Sequence, residues 1–445
     1  MNSNNFVFPV PVYVINVLSR LVNDGYAAFL VGGCVRDCLL HKTPSDYDVT
    51  TDATVNQIKQ VFKDYRQIND NGQRHGTVSV ISDGHVVEVS AFKDGLTLVN
   101  DLSRRDLTIN AMAYDFFNSK LIDPYDGQKD LENKIIRTVG DPRKRFEEDP
   151  LRIYRCMRFA SCLEEFEIDN DTSHVMLDSS MSDLVKAVSV ERFVKEFKIL
   201  HLGANVKKVL SDYIELISYF IPEIKESFGF AQNSPYHRHD VYEHTLAVIE
   251  GTQANVYERL AAFFHDIGKP RTYKEEYVNG QLRGHFPNHA EMSATMCRDI
   301  MKRLKFSTEE IEHVTYLVRI HSVKLLNDKR YIAHLLKDCP DVNWFLEFLD
   351  LRQSDRQDHV NIDWSTVPSI SDIKNLYYQI LDDKVPLSVS DLDIDGHDIM
   401  FLGYKGKDIG IILNKLLDKV IDESIDNDRT ALLFAVRDSL SKLTI

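Results

Sequence analysis

Short apolar runs with strand character open the chain. Ala28–Val31, Tyr47–Thr50, Thr77–Ile81 and Val86–Ala91 are alternating or continuously apolar, rich in β-branched residues and bounded by Gly or Asp. Runs of that kind predict strands. From about residue 145 onward the apolar positions recur with helical period and strand signals thin out. The pattern predicts an α+β head with a small, mostly antiparallel sheet, followed by an all-α body. Pro222, the Gly229–Pro235 stretch, Pro340 and the polar segment 361–371 punctuate the body. They place boundaries near 140, 230 and 365, and so four regions: 1–140, 141–230, 231–365 and 366–445. No internal repeat is present.

Length and composition fit that division. A chain of 445 residues exceeds one ordinary domain. No apolar run approaches the roughly 18 residues that a membrane helix needs. Met1–Pro11 lacks a basic start followed by a hydrophobic stretch, so no signal peptide is expected. The cysteines at 34, 38, 156, 162, 297 and 339 form no CxxC pair. They read as reduced thiols of a cytoplasmic protein. The formal charge of −15 argues weakly against a nucleic-acid ligand. Charge is local, however. Arg137–Arg158 holds seven basic residues against four acidic ones, whereas 381–445 holds thirteen acidic against eight basic. A basic stripe on an acidic body suits an RNA ligand, and an ordinary solvated helix face explains it equally well.

The first chemical constellation is LVGGCVRDCLLHKTPSDYDV. A strand ends at Val31, Gly32 and Gly33 follow, and a helix begins at Cys34. Paired glycines let backbone N–H groups approach a phosphate closely, and a helix start favours an anion. A tight structural turn would use the same residues. Asp46 and Asp48 change the balance. Read as strand residues two apart, they face one side. Two carboxylates there, with no paired cation alongside, are costly unless they hold a divalent cation. Glu88, in the alternating Val86–Val89, offers a third carboxylate, or simply marks a solvated strand face. Three such groups suit two Mg²⁺ ions that activate a hydroxyl and stabilise leaving pyrophosphate.

GGxxRD followed by DxD resembles the nucleotidyltransferase superfamily, and the continuation resembles bacterial-type (class II) tRNA nucleotidyltransferases, the CCA- and CC-adding enzymes. RRDLTINAMAYD resembles their sugar-recognition motif, DPYDGQKDLENKIIRTVGDP their hinge and EEDPLRIYRCMRFAS their templating helix; VSVERFVKEFKIL also fits. The resemblance implies attack of a tRNA 3′-OH on the α-phosphate of CTP, and of ATP where the end is completed. The tRNA would lack all or part of its CCA end. Asp46, Asp48 and Glu88 would be catalytic, with Mg²⁺ on the aspartates. Gly32, Gly33 and Arg36 would approach the triphosphate, Asp37 bracing the turn. Arg105, Asp106 and Asn110 would read the sugar 2′-OH.

Asp149 and Arg152 are three apart, and so would share one helix face. A helix-terminal salt bridge is one reading. As an acceptor beside a forked donor, the pair also matches the amino donor and ring acceptor of cytosine and adenine. Uracil and guanine would set a carbonyl against the carboxylate. By resemblance to the EDxxR motif, Glu148, Asp149 and Arg152 choose the base, with Arg155 and Arg158 also on the nucleotide. One departure concerns the terminal A. Only 15 residues separate Glu88 from Arg104, where enzymes that add all of CCA usually carry a longer flexible segment. Enzymes adding CC alone resemble the short form.

A second constellation lies in 237–355. HDVYEHTLAV, RLAAFFHDIGKP, HFPNHAEMS, YLVRIH and RQSDRQDH carry His244, His265-Asp266, His285 with His289, His321 and Asp355. An adjacent His-Asp closing an apolar helix buries metal-type ligands where nothing structural requires them. The order resembles the HD phosphohydrolases. That implies His244, His265, Asp266 and Asp355 as ligands of Mg²⁺ or a divalent transition metal, with His289 and His321 for a second ion and His285 structural. Phosphatase and 2′,3′-cyclic phosphodiesterase activity would follow; an inactive scaffold is the alternative. The tail, 366–445, resembles the family's tRNA-binding C-terminal region. No membrane and no protein partner are expected. Two rival functions remain: a poly(A) polymerase, which shares the head motifs, and an HD phosphohydrolase with a nucleotide-binding head.

Overall fold

Seven strands form the one large sheet of the computed structural model, which describes residues 8–68, 76–93, 97–278 and 280–443. They are β1 (Ala28–Val31), β2 (Asp48–Thr51), β3 (Arg66–Ile68), β4 (Thr77–Ser82), β5 (His85–Ala91), β6 (Ala113–Asp115) and β7 (Lys120–Ile122). Their order is β3-β4-β5-β2-β1-β6-β7. Every neighbouring pair is antiparallel except β2 and β5, which run parallel. β1 is apolar throughout because it is central, with both faces covered. β4 instead alternates half-buried and buried residues, as a strand with one packed face does. The helix Val12–Asn23 buries Val14, Val17, Leu18 and Leu21 and packs on β1, β4 and β5. Their spacing is that of one helical face.

The chain packs as two units, Met1–Phe220 and Ile221–Ile445. In the first, the sheet is followed by helices that include Pro142–Glu148, Leu151–Cys162 and Val190–His201. The expectation that Asp149 and Arg152 share a helix face is corrected here. Asp149 is extended (φ −154°, ψ 100°) and stands between two helices, Arg152 being in the second. The cause is Pro150, whose ring disfavours helical backbone at the residue before it.

The second unit is helical, built on Val241–Gly251, Val256–Phe264, His289–Arg303, Thr308–Ile320 and Trp344–Asp358. It also contains a feature that the helical period conceals, an antiparallel hairpin of Lys274–Val278 and Gln281–His285. Its sequence signal is the Asn279-Gly280 pair typical of tight hairpins; Gly280 has φ +79°. None of the six cysteines is joined in a disulfide. Among the described residues no helix is long and apolar enough to cross a membrane. The short Glu88–Arg104 connection includes residues 94–96, and the N-terminal leader reading includes residues 1–7; these positions lie outside the described residues.

Candidate active sites

In the first unit, sheet register assembles the acidic site. Asp48 begins β2, opposite Val31 of β1 and Glu88 of β5. Asp46 precedes the strand, so strand alternation does not place it, and its position is set by the loop. Burial raises the Asp48 carboxyl to about 6; the charges of Asp46 and Glu88 add to the rise and that of Arg105 opposes it. Arg105 is a cation that the sequence reading left out of this site. It also pairs with Asp101 at 3.6 Å. Gly32, at φ +75°, leaves room for it: a Cβ there would stand 2.8 Å from Arg105 Nη1 and 3.8 Å from Asp48 Oδ2. Gly33 is the first residue of the helix Gly33–Leu39. A half-buried carboxylate crowded by like charges fits a divalent cation, which would remove the repulsion.

Beside it runs a polar chain of residues from four separate segments. Arg36 donates to Asn110 Oδ1 (2.7 Å) and to Asp37 Oδ1 (2.8 Å). Asn110 Nδ2 donates to Asp106 Oδ1 (3.2 Å), which also accepts from the Leu107 N–H. Asp106 Oδ2 pairs with Arg155 at 2.6 Å. Glu196 then lies 3.9 Å from Arg155 and 3.1 Å from Arg158. Although burial raises the Asp106 carboxyl, Arg155 and the other donors outweigh it and leave the group below the usual carboxylate range. The guanidinium groups of Arg36, Arg155 and Arg158 all stand over the Phe159 ring, at 5.0, 5.6 and 4.1 Å.

Asp149 and Arg152 are not paired with each other through their side chains. Asp149 Oδ2 accepts from Arg192 at 2.7 Å. Arg152 donates to Glu148 Oε2 (3.0 Å) and to the carbonyls of Arg145 (2.9 Å) and Arg104 (2.7 Å). Arg192 and Glu196 were missed as site residues, yet both lie in the quoted VSVERFVKEFKIL segment. A basic and an acidic residue one turn apart there were the available signal.

The second unit gathers the histidines around Asp266. Its Oδ2 lies 3.1 Å from His265 Nε2, 3.5 Å from His244 Nε2 and 2.7 Å from Lys269 Nζ. Its Oδ1 is 3.6 Å from His289 and 3.7 Å from His321. Two groups could therefore hold a metal, His244–His265–Asp266 and Asp266–His289–His321, sharing the aspartate. The hydrogen bonds support this. Nδ1 of His265, His289 and His321 each faces the carbonyl three residues earlier, at 2.7, 2.9 and 2.6 Å. An Nδ1–H donated there leaves a lone pair on Nε2. These Nε2 atoms meet head-on: His265 and His244 at 3.3 Å, His289 and His321 at 3.2 Å. Asp266 Oδ1 is buried with no hydrogen-bond partner. Facing lone pairs and an orphaned carboxylate oxygen are what a bound cation satisfies.

Asp355 Oδ1 is 3.3 Å from His244 Nε2, and its Oδ2 accepts from Arg352 at 2.6 Å. Asp358, not anticipated, is the residue facing His244 Nδ1, at 2.8 Å. Burial lowers the His244 imidazole, but its hydrogen bonds to Asp355 and Asp358 push it up to about 9, so a cation bound at Nε2 would displace the proton held there. His285 pairs with Glu276 across the hairpin at 2.6 Å and lies outside both ligand groups.

Residues 28–137 match the poly A polymerase head domain family, and residues 241–341 match the HD domain family. Both families are metal-dependent. The chain is 40% identical to the CCA-adding enzymes of Staphylococcus epidermidis over 207 residues and of Pediococcus pentosaceus over 226; these matches span 50% and 55% of those relatives, about half their length. Against the CCA-adding enzyme of Ligilactobacillus salivarius it is 30% identical over 441 residues, 94% of both chains. The fold resembles the Bacillus stearothermophilus CCA-adding enzyme solved with CTP, with TM-score 0.73, 23% identity and 97% and 98% of the two chains covered. It also resembles the Thermotoga maritima CCA-adding enzyme solved with tRNA, with TM-score 0.60, 18% identity and 97% and 96% covered. With both domain families in order and a relative matched along nearly its whole length, the chain belongs to the CCA-adding enzyme family.

Proposed function

We propose that the chain adds C residues, and A where the end is completed, to the 3′ end of tRNA from CTP and ATP without a nucleic-acid template. The observation that carries this is the register that sets Glu88 beside Asp48, with Asp46 close enough to raise its carboxyl. Asp46 and Asp48 would hold Mg²⁺, with Glu88 beside them; bound there, the ions would stabilise charge on the attacking and leaving oxygens. The tRNA 3′-oxygen forms a bond to the α-phosphorus of the nucleotide while the bond to pyrophosphate breaks. The Gly32–Gly33 turn and Arg36 would receive the triphosphate. Asp106 and Asn110, held by Arg155 and Arg36, would meet the sugar. The regions 1–140, 141–230, 231–365 and 366–445 would serve as catalytic head, nucleotide- and tRNA-binding neck, phosphohydrolase and tRNA-binding tail. The protein would work in the cytoplasm, where its substrate is.

Base choice is proposed to rest on Asp149 and Arg152, with Arg192 orienting Asp149 through their 2.7 Å ion pair. Losing one base-pairing hydrogen bond in a closed site costs about 1–3 kcal/mol, roughly 5- to 150-fold in selectivity. In Asp149→Ala, UTP should therefore compete with CTP by that factor. Competition assays with mixed nucleotides check it, and a slow variant that still rejects UTP would return the pair to a structural role.

The primary assay is incubation of tRNA lacking its CCA end with CTP, ATP or both, read as product length. C addition is expected, with A addition much weaker because the Glu88–Arg104 connection is short. Efficient completion of CCA would remove the loop argument alone. A growing A tail would instead identify a poly(A) polymerase. The second unit is proposed as a phosphatase and 2′,3′-cyclic phosphodiesterase, with His244, His265, Asp266 and Asp355 around one divalent ion and His289 and His321 around another.

A further inference from the structure

The cavity that holds the histidine cluster carries a second set of side chains that metal binding leaves without a task. Its volume is about 480 Å³, within the range of small-ligand sites. Lys269, Arg283, Arg352 and Arg356 line it against two acidic residues, Asp266 and Asp355. Arg352 and Arg356 are four apart on the helix Trp344–Asp358 and so share a face. Arg352 donates from Nη1 to Asp355, and Arg356 from Nη1 to the Pro368 carbonyl at 2.8 Å. The Nε of each is buried with no acceptor, and Arg356 as a whole is 9% exposed. Buried N–H groups without acceptors are rare and unfavourable in folded proteins. Two such groups on neighbouring guanidiniums invite an anion, which a planar fork binds in bidentate fashion. His237 also lines the cavity with an unpartnered, buried Nδ1. Trp364 lines it too, 40% exposed, with the Arg356 guanidinium 5.6 Å from its ring centroid.

We propose that Arg352 and Arg356, joined by Arg283, form a phosphate seat in this cavity and that Trp364 is the platform for the base of the bound nucleotide. The proposal rests on reading the second unit as a phosphohydrolase, and names the residues that seat its substrate. Aromatic stacking accepts any base, so the seat selects the phosphoester and not the sequence.

Two measurements on the full chain separate the seat from the chemistry. The first is calorimetric titration with adenosine 2′-monophosphate in EDTA, where turnover is off. Wild type should bind saturably, Arg356→Gln should bind at least about 10-fold more weakly, and Arg356→Lys should recover part of the loss. Trp364→Ala should weaken binding of the nucleotide but not of inorganic phosphate. The second is hydrolysis of 2′,3′-cyclic AMP with divalent metal. Arg356→Gln should raise KM about 10-fold or more with kcat within about threefold. Thermal unfolding of the full chain serves as the folding control, and Arg283→Gln, from the hairpin, gives the same reading if Arg356→Gln fails to fold. Absence of wild-type hydrolysis with intact nucleotide binding would sink the phosphohydrolase reading and leave the seat standing. Wild-type affinity and KM in the arginine variants, or no nucleotide binding by wild type, would overturn the seat.

Discussion

Asp48→Ala and Asp46→Ala are each expected to reduce nucleotide addition by roughly a thousandfold or more, the scale of about 4 kcal/mol of lost transition-state charge stabilisation. Single-turnover assays with tRNA lacking its CCA end check this, and activity above a few per cent of wild type in either variant would remove these residues from catalysis. The loss should come without loss of folding, for a reason the site itself supplies. Burial, with the charges of Asp46 and Glu88, raises the Asp48 carboxyl from its ordinary 3.8 to about 6. The folded state therefore holds this proton more tightly than the unfolded chain does. The contribution of Asp48 to stability is highest below about pH 4, falls as pH rises toward 6 and stays reduced above it. The shift corresponds to about 3 kcal/mol at most, less what solvent screening removes. In chelator at pH 7.5, Asp48→Asn should thus melt above wild type, and the gap should close near pH 4. Mg²⁺ should raise the melting temperature of wild type more than that of the variant, which keeps only the metal groups of the second unit. A variant that melts below wild type at pH 7.5 would mean that Asp48 braces the sheet.

Joint replacement of His265 and Asp266 by Ala is expected to remove phosphohydrolase activity, by about a hundredfold or more, and to leave nucleotide addition within about twofold of wild type. Asp266 is the hub of both candidate metal groups, so its loss empties them together, whereas the carboxylates of the head belong to the other unit. Truncation also leaves the buried Lys269, now paired with Asp266 at 2.7 Å, without that counter-charge and with the Gln232 oxygen as a neutral acceptor. That costs about 3–5 kcal/mol, so Asp266→Asn, which keeps the shape, is the companion variant. Hydrolysis of 2′,3′-cyclic AMP and of a phosphomonoester with Mg²⁺, Mn²⁺, Ni²⁺ or Co²⁺ is the measurement. If wild type hydrolyses neither with any of these ions, the cluster is a scaffold.

Much of the site was legible from the linear pattern because its signals are local. Period-two apolar runs marked β1, β2, β4 and β5, since a strand with a packed face must alternate and a central one must be apolar throughout. The glycine turn, the aspartates and the adjacent His265-Asp266 carry their chemistry within a few residues. Pro150 was equally local, and its effect on Asp149 could have been read. What the sequence alone could not decide was pairing across distance. Placing Glu88 beside Asp48 depends on a parallel register between strands forty residues apart. The position of Arg105 beside Asp48, of Arg192 on Asp149 and of Asp358 on His244 depends on which strands, loops and helix faces meet. Those pairings follow from burying whole faces of the sheet and helices, a global condition that no short stretch of residues encodes. The order of residues settles which chemical groups the chain carries, and folding of distant segments onto one another selects which of them meet in an ion pair or a cavity.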